Sequence, residues 1–288
     1  MHAAPEWLEP GAWLERAHGA APADVESALA ARDPGLGEFA ALISPAADAC
    51  LEPMAQKAQA LTRAHFGRTI GLYVPLYLSN YCPSGCAYCG FAADRSQPRH
   101  RLAPEELAAE VRALKAGGFE DVLLLTGERC SEADFAYLRG CVAEAARHFH
   151  NVTVESFAMT QEEYRQLAEA GCTGITLYQE TYDPELYGRL HRWGAKQDYA
   201  FRLEAPARAL EAGLRTAGLG ALLGLGDPFY DMLGLYRHAE HLRRGCWRAG
   251  VALSFPRLRP QRGDYRPACV VDDRTLARIV FEPASFFL

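Results

Sequence analysis

The sequence has little of what marks membrane, secreted or nucleic-acid-binding proteins. No apolar run has the length that spans a bilayer. The N-terminus lacks the basic region and apolar core of a signal peptide. A formal net charge of −6 argues against a general affinity for nucleic acid or anionic membranes. We therefore expect a cytoplasmic, globular protein that has neither a membrane nor a nucleic acid among its partners.

The sequence also lacks the cysteine pattern of a disulfide framework. It has nine cysteines, an odd number, and most of them are scattered singly as core or surface thiols. The exception is the run Cys82-Pro-Ser-Gly-Cys86-Ala-Tyr-Cys89, which places three thiols in one short loop. This distribution predicts a reducing compartment and a metal site.

Three thiols in one loop can bind several kinds of centre. A [4Fe–4S] cluster usually takes four cysteines, so three would leave one iron open to a small molecule. A zinc site is the alternative, with His100 or a distant cysteine as fourth ligand, but the second C-x2-C pair typical of such sites is missing. Three buried thiols without a metal are the remaining possibility. Tyr88 before the last thiol and Gly90-Phe91 after it favour the cluster.

The C-x3-C-x2-C spacing resembles that of the radical S-adenosylmethionine (SAM) enzymes. The resemblance implies a [4Fe–4S] cluster on Cys82, Cys86 and Cys89. It also implies that the amino and carboxylate groups of SAM bind the free iron. Tyr88 would then meet the adenine of SAM, although a packed loop aromatic is an equally good interpretation.

Apolar runs alternate with amphipathic helices over most of the chain, as in parallel sheets covered on both faces. We predict an N-terminal helical extension over residues 1–68 and a (β/α) TIM-type barrel over residues 69–288. Strands are predicted at 72–79, 121–126, 152–158, 174–179, 216–225 and 251–255. Because a complete barrel of this type has eight strands, about six β/α units predict a barrel that is incomplete, open or truncated at its C-terminus. The apolar end at 286–288 has no evident strand partner.

Polar residues follow each predicted strand, at the end where such barrels carry their sites. Beyond the cysteines, they are Thr126-Gly127-Glu128 after the second strand, Glu155 in the third, Gln179-Glu180 after the fourth, Asp227 after the fifth, and Arg257 and Arg259 after the sixth. Chance placement would not put a polar cluster after every strand, so we predict a functional site at this end.

Several further stretches resemble 2-iminoacetate synthase, the radical SAM tyrosine lyase of bacterial thiamine biosynthesis. They are YVPLYLSNYC, LLLTGE, LYQETY, KQD-x4-RLEAPARA, GLGALLGLGD and SFPRLRP, in this order. The tyrosine lyase that matures [FeFe]-hydrogenase shares some of them but lacks the KQD-x4-RLE-x-P pattern and has a second cluster in a C-terminal domain. It is one alternative, as are other radical SAM enzymes. A non-catalytic iron–sulfur or zinc-binding module is another.

The resemblance implies that SAM is cleaved to methionine and a 5′-deoxyadenosyl radical, which takes a hydrogen from the amino group of L-tyrosine. The Cα–Cβ bond then breaks, giving 2-iminoacetate (dehydroglycine) and, after reduction, p-cresol. The implied partners are a thiazole synthase, which would receive the 2-iminoacetate, and an electron donor such as flavodoxin or ferredoxin.

The resemblance also suggests roles for the polar residues. The strand end at Thr126 and Gly127 would receive the ammonium group of SAM, and Glu128 would pair with a cation or accept from a ribose. Glu155 would touch the ribose, or else be a surface acid. Gln179 and Glu180 are assigned to the catalytic group, the alternative being an ordinary helix start.

Two arginines are further candidates for the site. Arg257 is assigned to the tyrosine carboxylate, because a planar guanidinium binds a carboxylate with two hydrogen bonds. The alternative is a surface arginine. Arg202 in the RLE stretch is a further candidate for the site, and a solvated helix face is the favoured alternative.

Overall fold

The computed structural model describes residues 4–260 and 265–281 of the chain. Six parallel strands form one sheet in the order β1-β2-β3-β4-β5-β6. They are β1 Tyr73–Tyr77, β2 Asp121–Leu125, β3 Asn151–Glu155, β4 Gly174–Glu180, β5 Thr216–Ala221 and β6 Gly250–Ser254. All six predicted strands are confirmed, with ends that differ by a few residues. The prediction that the apolar end at 286–288 lacks a strand partner concerns residues outside the described part of the chain.

Helices precede the sheet and connect its strands. They are α1 Gly11–Gly19, α2 Pro22–Ala30, α3 Leu36–Ile43, α4 Leu51–Phe66, α5 Pro104–Ala116, α6 Phe135–Ala145, α7 Gln161–Glu169, α8 Pro184–Leu190, α9 Tyr199–Leu203, α10 Ala205–Glu211, α11 Pro228–Gly245 and α12 Asp273–Phe281, with short 3-10 helices at Pro45–Cys50 and Ala195–Gln197. Among the described residues, no helix is both long and apolar enough to cross a membrane.

The helices before β1 pack on the barrel. Phe39 and Ile43 of α3 are fully buried in the same apolar cluster as Leu219 of β5 and Leu235 of α11. In addition, the guanidinium of Arg278 in α12 donates to the carbonyl oxygen of Ile43. The predicted N-terminal extension is therefore helical in its described part and shares a core with the sheet, while its boundary at residue 68 stays a prediction.

Among the described residues, each of the two outer strands of the sheet has one edge without a strand partner. Within residues 4–260 and 265–281, no strand pairs with the outer side of β1 or of β6. Apolar side chains are exposed beside β1: Ile70 is 81% exposed, Leu72 is 70% exposed and Tyr73 is 62% exposed. The carboxyl ends of the strands, where the loops carry the predicted site, all lie at one rim of this sheet.

Candidate active site

A cavity of about 200 Å³ lies at the carboxyl ends of the first four strands. It brings together most of the predicted site residues. They are Cys82, Cys86, Cys89, Thr126, Gly127, Glu128, Glu155 and Glu180, and they share the cavity wall with Tyr77, Phe91, Leu125, Ser156, Tyr178, Lys196 and Arg202. The sequence therefore located the cavity, and the roles assigned to its residues stay predictions.

The three cysteines face this cavity from the loop after β1. Burial raises the pKa of the Cys86 thiol to about 12 and also raises the pKa of Cys89. A metal centre would therefore have to displace the protons from these thiols, as metal binding to cysteine generally does. The amide N–H of Phe91 donates to Cys89 Sγ at 3.3 Å, which favours a thiolate there.

The donor set fits an iron–sulfur cluster. In the described part of the chain, no three Cys, His, Asp or Glu side chains are gathered as they would be around a single metal ion. The three thiols instead line one cavity, and a four-iron cluster takes each cysteine at a separate iron. Three thiolates are also the soft ligands that such clusters use.

Gly127 lets the end of β2 touch the cysteine loop. A Cβ atom at this position would lie 2.7 Å from Cys82 Cβ and would also collide with the carbonyl oxygen of Tyr81. Next to it, Thr126 Oγ1 donates to the Gly127 carbonyl oxygen at 2.9 Å and lies 2.5 Å from Ser156 Oγ. Only glycine therefore allows this approach, and the Thr126 hydroxyl is already engaged within the rim.

Two ion pairs set the charge of the cavity. Arg202 Nη1 lies 2.9 Å from Glu128 Oε1, and both side chains are buried. Lys196 Nζ lies 2.5 Å from Glu180 Oε1, again with both partners largely buried. The Arg202 guanidinium also donates to the carbonyl oxygen of Tyr178 at 2.8 Å.

The prediction that Arg202 lies on a solvated helix face is wrong. Arg202 is 6% exposed and points from α9 toward the cavity. The physical reason is that Glu128 is itself buried, and a buried carboxylate needs a cation nearby. Lys196 serves the same purpose for Glu180, and it was not assigned to the site from the sequence. The signal was present, because two acids at the carboxyl ends of β2 and β4 call for two cations at the same rim.

Glu155 has no ion-pair partner among the described residues of the cavity. Burial raises the pKa of its carboxyl from 4.5 to about 6, and the charge of Glu180 acts in the same direction. The cations of Lys196 and Arg202 oppose this shift. Glu155 thus holds a proton more readily than a solvent-exposed glutamate does.

The end of β4 contains a bulge that separates Gln179 from Glu180. The register with β5 shifts between Tyr178 and Glu180. Glu180 has a φ angle of 73°, and no other non-glycine residue in the described part of the chain has a positive φ. A bulge redirects side chains, and here the Glu180 carboxylate enters the cavity. Gln179 is buried on the other side, where its Nε2 donates to the Tyr199 carbonyl oxygen at 3.4 Å.

The chain after the bulge is anchored to helix α11. Asp231 of that helix is buried, and its Oδ1 accepts from Thr181 Oγ1 at 2.8 Å and from the Tyr182 amide at 2.7 Å. Burial raises the pKa of Asp231 to about 7. A left-handed backbone at a non-glycine residue is strained and persists only when its surroundings hold it. These hydrogen bonds provide that restraint next to Glu180.

Tyr88 lies behind the cavity wall, not in it. Its hydroxyl is 2.8 Å from His191 Nε2, and the ring is buried with Leu190 and Leu225. Burial lowers the pKa of His191 to about 2, so its imidazole is neutral. Because His191 Nδ1 faces the Tyr187 carbonyl oxygen at 2.9 Å, Nδ1 donates there and Nε2 accepts from Tyr88. The contact between Tyr88 and adenine stays a prediction.

Arg257 also lies outside the cavity wall. Its Nη1 donates to the Val271 carbonyl oxygen at 3.1 Å and to Asp273 Oδ1 at 2.6 Å, at the start of α12. The guanidinium is thus engaged elsewhere, and the role in holding the tyrosine carboxylate stays a prediction without support from this geometry.

A second cavity, of about 350 Å³, adjoins the first. Glu128, Lys196 and Arg202 line both, so the Glu128–Arg202 pair and the Lys196 cation stand between the cavities. On the far side, Arg129 lies 2.8 Å from Glu163 and its guanidinium stacks over Phe157.

Comparison with known proteins first defines the class. The model of the Radical SAM superfamily matches residues 76–239. The crystal structure of HydG, a maturase of the [FeFe]-hydrogenase, superposes with a TM-score of 0.90 at 28% identity, covering 98% of this chain and 66% of that chain. The protein is therefore a radical SAM enzyme with the barrel predicted for it, and its cofactors are a [4Fe–4S] cluster and SAM.

Comparison with curated sequences defines the family. The 2-iminoacetate synthases of Salmonella typhimurium (strain LT2) and Escherichia coli (strain K12) are each 41% identical over 268 residues. Each match covers 92% of this chain and 71% of the relative. The chain belongs to the 2-iminoacetate synthase family, which confirms the predicted resemblance and the predicted carbon–carbon lyase class.

Proposed function

We propose that this chain cleaves the Cα–Cβ bond of L-tyrosine to 2-iminoacetate and p-cresol, with SAM converted to methionine and 5′-deoxyadenosine. The observation that carries the proposal is the cavity in which three cysteines meet Gly127, Glu128 and two buried ion pairs. The identity of 41% to 2-iminoacetate synthases supports the choice of reaction. The maturase-type alternative has weaker support, because the identity to HydG is 28%.

The side chains of the cavity suit two amino-acid ligands. The thiols of Cys82, Cys86 and Cys89 would hold a [4Fe–4S] cluster, which when bound supplies the electron that cleaves SAM. Tyrosine and SAM each present an ammonium and a carboxylate group. The carboxylate of a ligand can pair with Lys196 or Arg202. The glutamate that had been paired with that cation can then pair with the ammonium group of the ligand.

Burial contributes as much as charge. Glu128, Lys196 and Arg202 are each at most 9% exposed, so little water reaches the polar groups of the cavity. A charged ligand interacts more strongly in such surroundings than in bulk water. Exclusion of water also protects a reactive intermediate from side reactions. The chain thus orients the reacting bond and shields it.

The biological setting belongs to the same proposal. We infer a role in forming the thiazole of thiamine, with delivery of 2-iminoacetate to a thiazole synthase and reduction by a flavodoxin or ferredoxin. A cytoplasmic location suits the nine free thiols, which a reducing compartment would maintain.

The test is anaerobic reconstitution with iron and sulfide, followed by incubation with SAM, dithionite and each aromatic amino acid in turn. We expect 5′-deoxyadenosine and p-cresol from tyrosine. Cys86→Ala should abolish both products, whereas Cys172→Ala, a buried thiol at the opposite end of β4, should not. Cleavage of tryptophan but not tyrosine would refute the substrate. SAM cleavage by Cys86→Ala, or a colourless zinc protein, would refute the cluster assignment.

A further inference from the structure

A short segment after α8, residues 190–194, runs antiparallel to the first half of the cysteine loop. We name it the strap. The Ala87 amide donates to the Leu190 carbonyl oxygen at 2.9 Å, and the Gly85 amide donates to the Trp193 carbonyl oxygen at 3.0 Å. Between these two bonds, Cys86 and His191 form an antiparallel bridge. The backbone on both sides of a predicted metal ligand is therefore tied to a segment more than a hundred residues away in the sequence.

Side chains of the strap add to this backbone pairing. Trp193 Nε1 donates to the Pro83 carbonyl oxygen at 3.2 Å, and Arg192 Nε donates to the Gly85 carbonyl oxygen at 2.9 Å. The Arg192 guanidinium also reaches Asp94 at 2.7 Å, on the far side of the loop. Two side chains thus hold carbonyl groups that lie between Cys82 and Cys86.

The two segments fit so closely that only glycine is tolerated at two contact points. A Cβ atom on Gly85 would lie under 3.0 Å from the Trp193 ring. Gly194 has a φ of 97°, and a Cβ atom there would lie 2.9 Å from the Cα of Ser84. A left-handed backbone and a close approach at the same residue are the conditions that call for glycine. The strap is therefore fitted to this loop.

From this fit, we propose that the strap is a positioning element for the cluster ligands. It holds residues 83–87 so that the three thiols face one cavity before any cluster is present. Arg192, Trp193 and Gly194 act through the loop and are positioning residues. The proposal rests on the proposed function only in taking Cys82, Cys86 and Cys89 as the ligands.

The strap also connects the loop to the charged wall of the cavity. It leads directly into the 3-10 helix Ala195–Gln197, from which Lys196 pairs with Glu180. The Tyr187 hydroxyl donates to the Lys196 carbonyl oxygen at 2.6 Å and fixes this connection from α8. The ligand loop and the Lys196–Glu180 pair are thus held by one continuous segment.

The first test uses the protein without a cluster. Thiol alkylation is followed at each cysteine by mass spectrometry in wild type, Arg192→Ala and Trp193→Ala. We expect Cys86 to be alkylated about tenfold faster in Trp193→Ala, which corresponds to a loss of about 1.4 kcal/mol in local stability. Cys172, which the strap does not touch, should react at the wild-type rate in every variant.

Matched controls separate the strap from general loosening. Trp247 is 79% exposed at the opposite end of the sheet, and Arg189 is an exposed arginine directly before the strap. Trp247→Ala and Arg189→Ala should leave the alkylation of Cys86 unchanged. Trp193→Phe keeps a ring over Gly85 but loses the N–H bond to Pro83, so it should fall between wild type and Trp193→Ala. Circular dichroism establishes that each variant is folded.

The second test examines the reconstituted protein. Trp193→Ala and Gly194→Ala should bind less iron, lose it faster to a chelator and give an altered electron paramagnetic resonance spectrum after reduction. Equal Cys86 alkylation in wild type, Arg192→Ala and Trp193→Ala would overturn the proposal. Unchanged cluster spectra in Trp193→Ala and Gly194→Ala would also overturn it. If the wild type binds no cluster, the proposed function fails, and the alkylation rates still decide whether the strap holds the loop.

Discussion

The buried charges of the cavity show why the location of some single residues could not be predicted from the sequence. Glu128 was predictable, because acids that follow a barrel strand commonly belong to a site. Its partner Arg202 lies 74 residues later and was expected in solvent, since an arginine in a polar helix usually lies there. The pairing depends on how α9 turns back over the rim, and no local pattern reports that.

Loss of the Arg202 cation should destabilise the protein strongly. Arg202→Met leaves the buried Glu128 carboxylate without a counterion. Removing one partner of a buried ion pair lowers the free energy of unfolding by about 3–5 kcal/mol. The double variant Glu128→Gln with Arg202→Met should recover part of that loss. Urea denaturation of the cluster-free protein measures both. Arg189→Met on the exposed face of α8 is the control and should have no measurable effect; an equally small effect of Arg202→Met would contradict the buried pair.

The raised pKa of Glu155 should make stability depend on pH. Because the folded state binds the proton more tightly than the unfolded state, stability falls as pH rises from 4.5 to about 6. The Glu155→Gln variant has no ionisable group at this position, so its stability does not fall for this reason as the pH rises. We expect it to be more stable than wild type by up to about 2 kcal/mol at pH 7 and equal to wild type below pH 4. The measurement is denaturation of the cluster-free protein across this range. A difference that stays the same at all pH values would place the effect elsewhere.

At the level of elements, the strands were predictable and the direction of one strand end was not. Runs of apolar residues bounded by turns are typical of buried parallel strands. Adjacent residues of a strand point to opposite faces, so Gln179 and Glu180 could not both reach the cavity. The bulge at β4 and the left-handed φ of Glu180 decide that Glu180 does. Hydrogen bonds to Asp231 of α11 hold the backbone in this conformation, and the local sequence around Glu180 does not predict them.

The contact between β2 and the cysteine loop gives a direct test of element packing. Gly127→Ala would push Cys82 and Tyr81 away from the strand end, so iron uptake on reconstitution should fall severalfold. Gly140 in α6 is the matched control, because a Cβ atom there meets nothing within 4 Å. Gly140→Ala should leave iron uptake unchanged and stabilise the protein by roughly 0.5–1 kcal/mol, since alanine is favoured over glycine in a helix. Equal iron uptake by Gly127→Ala and wild type would contradict the contact.

For the whole molecule, the order of six β/α units could be predicted because each unit has its own local signals. Strand order then follows, since successive β/α units add neighbouring parallel strands with right-handed connections. The positions of Tyr88 and Arg257 could not be predicted in the same way. Tyr88 belongs to the cysteine motif but packs against His191, and Arg257 follows β6 but pairs with α12. In both cases a long-range partner competes with the cavity for the side chain.

The outer edges of β1 and β6, unpaired within the part of the chain that the structure describes, lead to a prediction for the whole molecule. An unpaired strand flanked by exposed apolar side chains is a template for pairing with another chain. Leu72 and Tyr73 present such an edge at β1, so this chain should associate as its concentration rises. Leu72→Lys should reduce the association, because charge on an edge strand opposes pairing. Val270→Lys is the control, since Val270 is 81% exposed but lies outside both edge strands. Sedimentation velocity over a range of concentrations measures the effect, and equal association of wild type and Leu72→Lys would show that the β1 edge takes no part in it.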